Sequence, residues 1–266
     1  MTLPIDWLVP DWPAPANVRS VFTTRSGGVS TGPYASLNLG DHVGDDAAAV
    51  QTNRARLAEV LGATPVYLQQ VHGSGVVRLP ITPTSPNAAP VQADACFTTE
   101  RGPACTIMVA DCLPVLFTNR SGTVVAAAHA GWRGLVGLPG EGGVLESSFK
   151  QIMAATQAAD APDASQFIAW LGPCIGPARF EVGDEVRSAF VAQQAQASAL
   201  FQAHGPGKWL ADLPGLARQR LAAMGISSVY GNNGSTDWCT VDQASSFFSY
   251  RRERVSGRMA ACIWLG

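Results

Sequence analysis

The sequence predicts a mixed α/β or α+β sandwich, and three observations carry that reading. Short β-branched and apolar runs at residues 18–24, 66–68, 105–110, 123–128, 166–171, 227–230 and 259–264 have the length and composition of buried strands. Stretches at 47–61, after Gly143, at 184–203 and at 212–224 carry apolar residues at helical spacing. The two kinds interleave irregularly rather than as strict βαβ units, which points away from a doubly wound parallel sheet.

Taken in order, residues 1–17 hold four prolines and two tryptophans and read as an irregular lead-in pinned by its aromatics. A first strand at 18–24 precedes Arg25-Ser-Gly-Gly-Val-Ser-Thr-Gly-Pro-Tyr34, either a surface turn or a loop whose backbone N–H groups cradle an anion. The 47–61 helix has Asp45 or Asp46 as its cap and Gly62 as its stop. The proline-rich stretch between Pro80 and Pro90 is a loop in which length changes should be tolerated. Leu138-Pro-Gly-Glu-Gly-Gly143 interrupts the chain before a helix carrying Val144, Leu145, Phe149, Ile152 and Met153. Gly172-Pro-Cys-Ile-Gly-Pro177 forces a tight reversal after the 166–171 strand. Asp212, Pro214 and Gly225 bracket the 212–224 helix.

Composition narrows the functional classes. A chain of 266 residues, 47% hydrophobic and 14% charged, can bury a large core as one domain or two close-packed lobes. A net charge of −2 without a Lys/Arg block predicts no nucleic-acid or membrane partner. The N-terminus lacks a basic segment followed by an apolar one, so a cytoplasmic protein is expected. Six cysteines without a CxxC pair do not form a disulfide framework, and reduced thiols are expected.

Three apolar runs lead into polar groups that suit one metal ion. Cys105-Thr-Ile-Met-Val-Ala110 leads to Asp111-Cys112, Thr123-Val-Val-Ala-Ala-Ala128 leads to His129, and Val66-Tyr-Leu68 leads through Gln69-Gln-Val to His72. His72, Cys112 and His129 supply three nitrogen and sulfur donors, the set a catalytic zinc site needs, with the fourth position left to water or substrate. Water activated there would attack a purine or acyl carbon. Asp111 would steer a ligand or shuttle a proton, although alternation along a strand turns it away from Cys112. Arg133 in the Gly-Trp-Arg-Gly turn is either a phosphate donor or a surface cation.

Phe22-Thr-Thr-Arg-Ser-Gly-Gly-Val-Ser, Ser36-Leu-Asn-Leu-Gly, Gln70-Val-His-Gly, Ala110-Asp-Cys-Leu-Pro-Val, Ala128-His-Ala-Gly-Trp-Arg-Gly, Gly172-Pro-Cys-Ile-Gly and Phe247-Phe-Ser-Tyr-Arg-Arg together resemble the YfiH-type family. That family is also called laccase-domain, multicopper polyphenol oxidoreductase or peptidoglycan editing factor. The resemblance runs from about residue 18 to the C-terminus and implies a single domain over 1–266 with a four-layer α/β/β/α sandwich of mixed sheets. It implies zinc on His72, Cys112 and His129, and phosphorolysis of adenosine, inosine, guanosine and methylthioadenosine together with adenosine deamination. Purine nucleoside and phosphate are then the partners, with the chain a monomer or weak homo-oligomer. For some members it implies hydrolysis of UDP-N-acetylmuramate wrongly joined to L-serine. Arg25, Asn38 and Arg133 are the candidates for substrate binding, on the motifs and on donor chemistry. The Leu138 to Glu141 segment looks longer than the family usually has.

Two other readings stay open at this point. In a thiol hydrolase, Cys112 would be the nucleophile, His129 the base and Asp111 or Asn38 the orienting group. In a scaffold with structural zinc, Cys96, Cys105 or Cys174 would close the site as fourth ligand. A laccase in the full sense meets a stoichiometric objection: four coppers held mostly by imidazole need about ten histidines, and the chain has four. A copper ion could still occupy the His/Cys/His site adventitiously.

Overall fold

The computed structural model describes residues 6–81, 90–156 and 163–266. The first five residues of the expected lead-in and residues 82–89 of the proline-rich loop lie outside the described residues.

In chain order the elements are β1 (Val18–Phe22), α1 (Ala47–Leu61), β2 (Thr64–Val66), β3 (Val76–Arg78), β4 (Ala95–Thr98), β5 (Pro103–Val109), β6 (Leu113–Asn119), β7 (Val125–Ala130), α2 (Trp132–Val136) and α3 (Val144–Thr156). They continue with β8 (Phe167–Leu171), β9 (Glu181–Gly183), α4 (Asp184–Gln193), β10 (Phe201–Ala203), β11 (Lys208–Ala211), α5 (Leu213–Ala223), β12 (Ser228–Gly231), α6 (Tyr250–Glu253) and β13 (Met259–Leu265). A four-stranded sheet runs β1-β13-β5-β2, a six-stranded sheet runs β12-β8-β6-β7-β4-β3, and a small three-stranded sheet runs β10-β11-β9. The two large sheets are mixed: β2 joins β5 in parallel, as β3 joins β4 and β12 joins β8, while the remaining pairings are antiparallel.

Strand alternation sorts the core into layers. Cys105, Ile107 and Val109 of β5 point inward with Phe22, Ala261 and Ile263, and meet Leu116, Val125, Ala127 and Trp170 of the six-stranded sheet. The opposite residues of β5, Ala104 and Met108, pack with Val21 and Cys262 against Leu57 and Leu61 of α1. On the far side, Phe97, Val115, Phe117 and Phe167 pack against Leu145 and Ile152 of α3, Phe190 of α4 and Leu216 and Leu221 of α5. The order is therefore helix, sheet, sheet, helices, which is the four-layer α/β/β/α sandwich.

The helix ends follow local chemistry. The Asp46 side chain accepts the Ala49 N–H at the start of α1, and Gly62 ends it with φ of 60°. Asp212 caps α5 in the same way through the Gly215 N–H, and α3 begins just after Gly143. The predicted 184–203 helix is shorter than its periodicity suggested: α4 stops at Gln193, and 3₁₀ turns over Ala195–Leu200 lead into β10. That stretch needs to turn back so that β10 can pair with β11. The Leu138 to Glu141 segment forms a tight hairpin closed by the Leu138–Gly142 bridge, with the Glu141 N–H donating to the Leu138 carbonyl. Among the described residues no helix is long and apolar enough to cross a membrane.

Fully buried Asn53 ties α1 to the loop that follows β1. Its Oδ1 accepts the Val29 N–H at 2.9 Å, and its Nδ2 lies 3.0 Å from Ser30 Oγ and 2.9 Å from the Asn38 carbonyl. Asn53→Ala leaves these groups without their partner and should cost about 2–4 kcal/mol. Asp46→Ala removes only an exposed cap and should cost about 1 kcal/mol. Urea unfolding of the two variants should show that order, and equal losses would mean the buried amide is not the tie.

Candidate metal centre

The connection between β5 and β6 is short, so Ala110, Asp111 and Cys112 make a sharp turn at the edge of a cavity. Asp111 takes a φ of 94°, a region L-residues rarely adopt. Three contacts hold it there. Thr240 Oγ1 donates to Asp111 Oδ1 at 2.6 Å, the Arg251 N–H donates to Oδ2 at 2.6 Å, and the Ile175 N–H donates to the Asp111 carbonyl at 2.8 Å. Cys112, next in the turn, is half-buried and lines the cavity.

His129 lies inside β7 and is paired in register with Pro114 of β6, which brings it beside Cys112. His72 does not end a strand, contrary to expectation: β2 stops at Val66, and His72 sits on an irregular segment with φ of 62°. Buried Asp94 holds that segment. Its carboxylate accepts the N–H groups of Val71, His72 and Gly73 at 3.2, 2.8 and 2.7 Å. The same carboxylate lies 2.8 Å from His129 Nδ1. An ionised carboxylate only accepts, so Nδ1 carries the hydrogen and Nε2 is left for the cavity. Burial pushes the Asp94 carboxyl up, but the hydrogen bonds from His129 and Gly73 outweigh it and hold it below its usual value.

The donor atoms of His72, Cys112 and His129 all lie within 4.8 Å of one another. Cys112 Sγ is 3.6 Å from His72 Nε2, and the two imidazoles meet edge to face with centroids 4.7 Å apart. A Cβ on Gly131 would fall 2.8 Å from His72 Cδ2 and 3.0 Å from Cys112 Sγ, so this glycine gives the cluster its room. Gly134 does the same for α2, where a Cβ would meet the Gly73 carbonyl at 2.7 Å. Burial raises the Cys112 pKa, but the charge and hydrogen bond of His129, with His72 behind them, bring it down to about 6. Burial lowers that of His129, whereas the Cys112 charge and the Asp94 hydrogen bond raise it to about 9.

Two imidazole nitrogens and one readily ionised thiol form a donor set that fits a three-ligand metal site with an open position. No further His, Cys, Asp or Glu joins the cluster among the described residues. Cys96 and Cys105 are buried between the sheets, and Cys174 Sγ lies 3.4 Å from both the Ile175 carbonyl and Asn232 Nδ2. None of the three closes the site.

The cavity has a volume of about 510 Å³. Met108, Trp132, Ile175, Phe180, Leu213 and Tyr250 give it apolar surface, and His42, Arg133, Arg251 and Arg258 line it with basic groups. Of the residues predicted from sequence, Asp111 and Arg133 line it with the metal cluster, while Arg25 and Asn38 do not. Arg25 donates to the carbonyls of Ala35 and Ala244 and to Glu253, and lies over the Phe248 ring. Asn38 is fully buried, with its amide bonded to Gly40, Asp45 and the Arg258 N–H. In the glycine-rich loop the N–H groups of Ser26, Gly28, Val29 and Ser30 have acceptors within the protein. Sequence reasoning missed Asp94, Gly131, Arg251 and Arg258. Asp94 did leave a trace, as an acid set between the alanines of Ala93-Asp-Ala-Cys96 in a buried run.

A family model described as multi-copper polyphenol oxidoreductase laccase matches residues 19–266. A Pseudomonas aeruginosa protein named purine nucleoside phosphorylase is 50% identical over 260 residues, 97% of this chain and 98% of its own. Purine nucleoside phosphorylase YfiH of Escherichia coli matches with the same identity and coverage. The crystal structure of the Neisseria meningitidis protein NMB0706 superimposes with a TM-score of 0.85 at 44% identity, covering 98% of this chain and 99% of that one. With its layers, its motifs and these matches in agreement over nearly the whole length, the chain belongs to the YfiH family of laccase-domain proteins.

Proposed function

We propose that the chain is a zinc-dependent purine nucleoside phosphorylase acting on adenosine, inosine, guanosine and methylthioadenosine, with adenosine deaminase activity in the same cavity. The observation that carries this reading is an open three-donor cluster in a cavity that offers both aromatic surface and arginine side chains. Relatives bearing the phosphorylase name at 50% identity supply the reaction class.

His72, Cys112 and His129 would hold the zinc, which when bound supplies Lewis acidity. Asp94 fixes the His129 tautomer that leaves Nε2 free to bind a metal, and holds the His72 segment through its backbone N–H. Trp132, Phe180 and Tyr250 line the cavity with the aromatic surface a purine would pack against. The arginines give an anion its partners. Asp111, with both carboxylate oxygens engaged, holds the turn that presents Cys112 rather than shuttling a proton. Copper chemistry of the multicopper kind has no matching histidine set: His204 pairs with Glu181 at 3.8 Å outside the cluster, and His42 lines the cavity without joining it.

Cys112, His129 and Asp94 also make the nucleophile, base and orienting acid of a thiol hydrolase, with Asp94 in the role expected of Asp111 or Asn38.

Metal analysis of protein purified without added metal should find one zinc per chain, and adenine release from adenosine should require phosphate. Cys112→Ala should lose the zinc and lower turnover by at least about a hundredfold. Zinc without purine turnover would instead favour hydrolysis of the UDP-N-acetylmuramate conjugate, and active metal-free protein would favour the thiol nucleophile. Asp94→Asn should weaken zinc binding by about ten- to a hundredfold in chelator competition, and an unchanged affinity would remove Asp94 from the centre. In chelated protein, Cys112 alkylation should rise through pH 6 and level off above it, because the depressed pKa gives thiolate early. A rise centred near pH 8.5, the ordinary thiol value, would contradict the geometry, and zinc should suppress the reaction.

A further inference from the structure

Arg258 stands apart from the other cavity arginines. Its backbone N–H is held by Asn38 Oδ1 at 2.9 Å, and Nη1 donates to the carbonyls of Ser256 and Gly257 at 2.9 and 3.1 Å. A Cβ on Gly40 would lie 2.8 Å from Arg258 Cγ, so the stem is pressed against bare backbone. Nε and Nη2 have no protein acceptor among the described residues, and Arg258 forms no ion pair there. A half-buried guanidinium is costly without a countercharge, and burial lowers its pKa while Cys112 and Asp111 oppose that shift. Arg133 and Arg251 are exposed, and each reaches across a neighbouring ring, Trp132 and Phe180 respectively. Those two suit capture of an anion, whereas Arg258 is preorganised to orient one.

We propose that Arg258 is the oxyanion-binding residue of the cavity, receiving inorganic phosphate on its Nε and Nη2 hydrogens beside the Cys112 centre. Two parallel donors match two oxygens of a tetrahedral anion. The identity of the anion rests on the phosphorolysis reading; the presence of an oxyanion site rests on the guanidinium. Asn38, placed by its motif among the substrate-binding candidates, becomes a positioning residue that acts through Arg258.

The test uses zinc-loaded protein, with calorimetric titration of inorganic phosphate and kinetics of adenine release at varied phosphate, for wild type, Arg258→Gln and Arg258→Lys. Both variants should raise the phosphate Kd and KM by about ten- to a hundredfold, less for lysine, which keeps charge but loses the fork. The adenosine KM should move far less than the phosphate KM, a split that loosened packing would not give. Gly40→Ala, which displaces the Arg258 stem while keeping every donor, should raise the phosphate KM in the same direction and serves if the arginine variants do not fold. Phosphate affinity unchanged in folded variants, or no phosphate binding by wild type, would overturn the proposal. Binding of UDP but not of inorganic phosphate, lost in Arg258→Gln, would also overturn it by assigning the arginine to a substrate's own phosphate group. If wild type binds phosphate through Arg258 yet turns over no nucleoside, the site stands and the phosphorylase reading falls.

Discussion

The centre depends on one carboxylate. Asp94 is fully buried just before β4, where a charge is tolerated only when its oxygens are satisfied. Three successive N–H groups and one imidazole satisfy them. Two of the three metal donors thus answer to a single side chain, although one belongs to a strand and the other to an irregular segment. Geometry that would otherwise rely on two flexible connections is set by the desolvation cost of one buried charge.

The third donor is placed by strain rather than by charge. Asp111 and His72 both have positive φ without being glycine, and each such residue costs on the order of 1–3 kcal/mol. Around Asp111 the cost is met by hydrogen bonds from three distant parts of the chain, near residues 175, 240 and 251. The turn therefore reports on packing of the whole cavity wall. Gly131 completes the arrangement from the opposite side, since any side chain there would press on both His72 and Cys112.

The sequence carried the layers and the donors better than it carried their supports. Helix α1 is readable to both ends because its cap and stop are local chemistry, and His72, Cys112 and His129 stand out because three nitrogen and sulfur donors follow apolar runs within one half of the chain. The sequence pattern marks none of β3, β4, β6, β9, β10 and β11 as strands, and the last three are short and exist through pairing with one another. Helix propensity over 184–203 was overridden by that pairing. His72 follows a strand-like run in the sequence, yet the structure sets it in a segment beyond β2 through contacts to Asp94 that no spacing in the sequence expresses.

Arginine shows the same limit most sharply. Arg25 lies in a glycine-rich motif and looks like an anion donor, but its guanidinium serves two carbonyls, a carboxylate and an aromatic face. Arg220 and Arg252 are likewise engaged, with Glu146 and Gln193 in one case and with Glu253 and three backbone carbonyls in the other. A guanidinium has five N–H donors, and what separates a structural arginine from a binding one is how many of them the fold has already used. Arg258 sits outside any motif that drew attention, yet its stem and backbone are fixed while its Nε and Nη2 edge stays uncommitted on the wall of the cavity. Local sequence reports neither quantity, because both are set by partners distant in the chain: Asn38 and Gly40 fix the arginine, and the acceptors it lacks define its open edge.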